Sequence, residues 1–128
     1  RESLDRALAG RGVHYLWIKQ LGGRRTRRSE PSLNLGLRSQ SFRNYADHML
    51  TPEFNQGIGE LLSVAGQSAT AYMCAERVYF RCHRLLISDW LVAHGHQVLH
   101  IDDKRPAKSH SLTREARIIT GRLLYPAL

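Results

Sequence analysis

Cysteine is scarce in this chain: its 128 residues hold two, Cys74 and Cys82. Two thiols exclude a disulfide framework, and free, reduced cysteines are expected. No C-x-x-C pair occurs, so the usual spacing of a closed zinc site is missing. Long apolar runs are missing too, and the longest falls far short of the roughly 20 residues that cross a bilayer. The opening Arg1-Glu2-Ser3-Leu4-Asp5 is charged, so no secretory leader is read there, and a cytoplasmic protein without membrane contact is expected. There is no internal repeat and no low-complexity tract. Acidic residues are the minority, with 11 Asp and Glu against 19 Lys and Arg, a net charge of +8.

What is present suits one domain over residues 1–128, since 42% apolar residues suffice for a core. The positive charge is uneven. Residues 1–50 carry ten Lys and Arg against four Asp and Glu, and residues 51–128 carry nine against seven. The excess centres on Gly22-Gly23-Arg24-Arg25-Thr26-Arg27-Arg28, which predicts an anionic partner, a nucleotide or nucleic acid. The competing reading is a solvated basic loop. No aromatic residue interleaves Arg24 to Arg28, so a base-stacking platform is not indicated.

Apolar spacing predicts a helix over residues 2–10, a strand over 13–18, and a loop over about 19–37. Helices follow from Ser41 to Leu50 and from Pro52 to about Ala65, the second capped by Thr51. Residues 69–74 read as a central strand, Cys82 to His94 as a helix, and 98–101 as a strand. A short helix over 112–119 and an extended piece over 122–125 complete the pattern. Strand, helix, strand over 69–101 predicts a parallel βαβ unit with a right-handed crossover. Cys74, ending its strand, would then share an edge with the amino end of the helix that Cys82 opens, where open α/β sheets bind ligands.

That edge gathers Cys74, Glu76, Arg77, Arg81, Cys82, His83 and Arg84. Helix N–H groups and guanidinium groups favour anions and thiolates. Three uses compete with plain burial of the two cysteines. One is a pocket for a phosphate-bearing ligand, with Arg24, Arg25, Arg27, Arg28, Arg81 and Arg84 as binding residues; this is the leading expectation. The second is nucleophilic catalysis by Cys74 or Cys82, with His83 as base and Glu76 orienting it. The spacing of Cys, five residues, Arg found in tyrosine phosphatases is not met, because Phe80 holds that place. The third is a metal site on Cys74, Cys82 and His83, which needs a fourth ligand from His94, His96, His100 or Asp102. No metal and no cofactor are expected. A structural or interaction protein without a small-molecule site is the remaining alternative.

Cys74-Ala75-Glu76, five residues, then Cys82-His83-Arg84 forms a signature. With Leu21-Gly22-Gly23-Arg24, Thr51-Pro52-Glu53-Phe54, His100-Ile101 and Tyr125-Pro126, the chain resembles the bacterial and archaeal family called domain of unknown function 488. The resemblance implies a Rossmann-like, three-layer α/β domain with a mostly parallel sheet, and it implies no activity. It also implies that this chain lacks the family's N-terminal strand, helix and strand. An open sheet edge left in this way would favour self-association.

Overall fold

Two hydroxyl caps and one proline set the helical part of the molecule, for which the computed structural model describes residues 2–27, 30–74, 76 and 78–127. The first helix, α1, spans Glu2–Ala9 and buries none of its residues. Ser39 Oγ accepts the Phe42 N–H at 3.3 Å and starts α2, Gln40–His48. Thr51 Oγ1 accepts the Phe54 N–H at 3.3 Å, with Pro52 in the first turn, and starts α3, Pro52–Ala65. Each cap satisfies an N–H that the helix cannot. The last helix, α4, spans Arg84–Ala93. The apolar faces of α2, α3 and α4 meet in one core, where Tyr45, Phe54, Leu86, Ile87 and Leu91 are buried.

The mostly parallel, Rossmann-like three-layer sheet expected from the sequence is not what forms. Among the described residues there are two antiparallel hairpins. In one, β1, Leu99–Asp102, pairs with β2, Arg105–Ser109. In the other, β3, Arg117–Ile119, pairs with β4, Arg122–Leu124. Residues 13–18 and 69–74 belong to neither ladder.

The physical reason is local closure. A strand needs a neighbour for its N–H and C=O groups. For β1 that neighbour comes next in the chain, across a tight turn in which Asp102 Oδ1 accepts the Lys104 N–H at 2.9 Å. A short loop costs little closure entropy, whereas a crossover partner must be brought from afar. The helix expected over 112–119 is overturned by similar logic. Thr120 and Gly121 both have positive φ, 52° and 75°, which is the two-residue turn that suits the twist of an antiparallel hairpin. With no parallel sheet among the described residues, the expectation of self-association through its open edge loses its basis. No helix among the described residues is long and apolar enough to cross a membrane.

The long segment after residue 19 is tightly held where it is described. Tyr45 donates its hydroxyl to Leu21 O at 2.7 Å, and His48 Nε2 meets Gln20 O at 2.6 Å. Further along, buried Asn34 donates to Asp47 Oδ1 at 2.7 Å and accepts the Tyr125 N–H at 2.9 Å. One amide thereby joins the loop, α2 and the C-terminal end of the chain.

Candidate functional site

Cys74 and Cys82 reach each other without a strand between them. The segment before Cys74 is anchored by Tyr72, whose hydroxyl meets Ser88 Oγ of α4 at 2.6 Å; Ser88 is itself fully buried. Cys82 follows a 3₁₀ turn at Tyr79–Arg81 and shortly precedes α4. The two sulfurs lie 3.1 Å apart, and both residues are half-buried.

The Cys82 sulfur collects donors. Arg84 Nε donates to it at 3.1 Å, the Arg84 backbone N–H at 3.4 Å, and the Cys74 thiol at 3.1 Å. Three donors around one sulfur match the acceptor-only character of a thiolate. The thiol form of Cys82 finds an acceptor in Tyr79 O at 3.7 Å. Burial, and then its hydrogen bond to Cys82, push the Cys74 thiol up from its ordinary value, which keeps Cys74 a donor. Arg84 Nη2 also donates to the Glu76 carbonyl, closing a ring from Cys74 through residue 76 to Arg84.

Other expected site residues are placed differently. The Glu76 carboxylate accepts the Val78 N–H at 3.2 Å, so it braces its own turn and does not orient His83. His83 packs its ring on Tyr45, with centroids 5.1 Å apart. Among the described residues no hydrogen bond joins His83 to either sulfur. Burial, then the charges of Arg84 and Arg25, hold the His83 imidazole below its ordinary pKa, so it stays neutral at pH 7.

Arg25 serves as a loop clamp. Its guanidinium donates to Gly22 O at 3.1 Å, Lys19 O at 3.0 Å and Gln20 O at 3.1 Å, and it pairs with Glu53 at 3.5 Å. Arg24, Arg27 and Arg81 are exposed, and their side chains make no hydrogen bond among the described residues. Arg28, Arg77 and Ala75 lie outside the described residues. Cys74, His83 and Arg84 line a cleft of about 1520 Å³, together with Tyr15 and Trp17 from the N-terminal part and Leu61 of α3.

Among the described residues no group of three or more His, Cys, Asp or Glu is arranged to hold a metal ion. His94, one suggested fourth ligand, has its Nδ1 at 2.7 Å from Trp90 O and its ring stacked on Trp90.

A second cluster adjoins the thiols. Tyr79, whose carbonyl faces Cys82, stacks its ring on His100 with centroids 3.5 Å apart and planes 8° apart. His100 Nε2 lies 2.7 Å from His110 Nδ1, and His110 Nε2 lies 2.7 Å from Asp89 Oδ1. Asp89 is fully buried and also accepts the Tyr125 hydroxyl at 2.7 Å and the Thr113 N–H at 2.9 Å. The sequence hid this cluster because its members come from five separate stretches. The available signal was Asp89 itself, a carboxylate in an otherwise apolar helical stretch that has to find partners if buried.

Residues 1–91 match the family described as "Domain of unknown function DUF488". No curated protein and no solved structure matches the chain.

Proposed function

Because the chain belongs to the DUF488 family, a domain of unknown function, we propose a function from its own geometry: thiol-dependent chemistry, with Cys82 as the nucleophile. The observation that carries this reading is the convergence of the Arg84 Nε, the Arg84 N–H and the Cys74 thiol on one sulfur. Such a sulfur is suited to covalent attack on an electrophilic centre, and its neighbours Cys74, His83 and Arg84 line the cleft. Cys74 supplies a hydrogen bond and Arg84 a positive charge. His83 has no part in activating the thiol. The neutral ring packed on Tyr45 is a wall of the cleft.

Iodoacetamide labelling read by peptide mass spectrometry tests this. At pH 7, Cys82 is expected to label on the order of tenfold faster than Cys74, and Arg84→Gln to remove most of that advantage. Equal, slow labelling of both thiols would sink the reading.

A second reading, binding of a phosphate-bearing ligand such as a nucleotide or nucleic acid, is supported by the exposed Arg24, Arg27 and Arg81. Arg25 is removed from that set by its clamp role. Binding of a single-stranded oligonucleotide should weaken with salt, and Arg24→Ala with Arg27→Ala should reduce the slope by about 0.7 per lost phosphate contact. Salt-independent binding would dismiss it.

A further inference from the structure

Asp89, His110 and His100 stand in a hydrogen-bonded line, and the protons along it follow once Asp89 is a carboxylate and His110 an uncharged ring. The Thr113 N–H can only donate, so Asp89 Oδ1 is an acceptor, and the carboxylate form serves the Tyr125 hydroxyl and His110 as well. His110 Nε2 therefore carries a proton, and the Nδ1 of the neutral ring is a lone pair. The contact of 2.7 Å between His110 Nδ1 and His100 Nε2 then needs its proton on His100. This leaves His100 Nδ1 bare, and among the described residues nothing donates to it. A buried carboxylate thus fixes a tautomer two rings away. Tyr79, stacked on His100, fixes the plane of the ring.

We propose that Asp89, His110 and His100 form a proton relay whose outer end, His100 Nδ1, is a general base for the hydroxyl or thiol of an anionic small molecule seated beside Tyr79. A proton arriving at Nδ1 lets Nε2 pass its own proton to His110 Nδ1. The new positive charge then rests on His110 against the Asp89 carboxylate. Only bonds to hydrogen form and break, and no electron acceptor is needed. His100 is the group that touches the ligand; His110 and Asp89 are positioning residues. The relay is independent of the thiol reading.

The groups facing His100 argue for an anion. Lys108 is its cross-strand partner on β2, the charge of Arg84 acts on it from α4, and Asp89, the one opposing charge, is hydrogen-bonded to His110. Burial, then repulsion from His110 once it takes up a proton and from Arg84 and Lys108, push the His100 imidazole down to about 4, with Asp89 opposing them. Its lone pair is therefore free at pH 7. The same positive field favours an anionic ligand and eases loss of that ligand's proton.

Nitrogen-15 NMR of the full chain at pH 7 tests the assignment directly. Both His110 and His100 are expected as Nε2–H rings with bare Nδ1; a proton on His100 Nδ1 would overturn the relay. Diethyl pyrocarbonate, which attacks bare imidazole nitrogens, adds a kinetic readout resolved by peptide. His110→Gln retains a polar amide but cannot carry the charge, and should slow reaction at His100 on the order of tenfold. An unchanged rate would reduce His110 to a structural partner and end the proposal. Should that variant fail to fold, Tyr125→Phe removes one donor from Asp89, strengthens its pull on the His110 proton, and should speed reaction at His100; an unchanged rate in that variant would equally end the proposal. Millimolar inorganic phosphate should protect His100, and lack of protection would refute the anionic ligand.

Discussion

A Cβ built on Gly23 falls 2.8 Å from His83 Cε1 and closer still to its Nδ1. The loop can pass over the imidazole only because residue 23 has no side chain. On one side the ring cannot retreat, since Tyr45 lies against it and is itself almost completely buried, and it can move only toward the cleft. Gly23→Ala should therefore cost about 1–3 kcal/mol, the usual penalty of overpacking. Urea unfolding checks this, and the double variant with His83→Ala should recover most of the loss. Full cost in both backgrounds would show that the glycine serves the backbone and not the ring. The same pair shows how a residue's identity and its role separate. Leu21-Gly22-Gly23 is legible as a turn. The reason for its second glycine lies 60 positions away, and spacing along the chain cannot show it.

Helices are the legible elements because their signals are local. Thr51, Pro52 and the apolar set Phe54, Ile58 and Leu61 all lie within one segment, and α3 forms over Pro52–Ala65 as that pattern predicts. Thr51→Ala should cost about 1 kcal/mol, the worth of one cap, as a shift in urea midpoint. An unchanged midpoint would mean that the backbone and Pro52 start the helix unaided. Strands are less legible, since apolar and β-branched content says that a segment suits a sheet and not which partner it finds. Residues 98–101 have the composition of a strand, and Leu99–Asp102 is one, but it pairs with the next stretch along. Residues 13–18 and 69–74 carry the same composition without a ladder. A parallel sheet edge would have brought Cys74 to Cys82. Their meeting arises instead from the Tyr72–Ser88 bond and the turn at Tyr79–Arg81.

At the scale of the whole molecule, Asp89 is where separate parts of the chain are joined. Through it α4 holds His110 after β2, Thr113 in the following loop, and Tyr125 near the C-terminal end. Tyr125 in turn binds Asn34 and, through it, Asp47 of α2. Asp89→Leu would strand the Tyr125 hydroxyl and the His110 ring without an acceptor. A loss of about 1–3 kcal/mol for each buried donor left without an acceptor is expected. This is a large part of a small domain's total stability. Circular dichroism melting reads it, and a loss under about 1 kcal/mol would show that the hub is dispensable.

The same network gives the molecule a pH dependence whose sign is fixed. His100 has its pKa lowered from 6.5 in the unfolded chain to about 4 when folded. Between these values the unfolded chain binds more protons than the folded one, so stability rises with pH there. The stabilisation is fully present above about 6.5 and is lost as pH falls toward 4. His83, also held low by burial and by Arg84 and Arg25, adds a slope of the same sign. The groups that set the His100 slope are His110, Arg84, Lys108 and Asp89. Urea midpoints taken from pH 7 to pH 4 should therefore fall steadily in the parent chain and less steeply in His100→Gln, with the His83 part remaining. Parallel curves for the two proteins would mean that His100 takes up its proton as readily folded as unfolded. The ring would then be solvated, and its contact with His110 too weak to hold a tautomer.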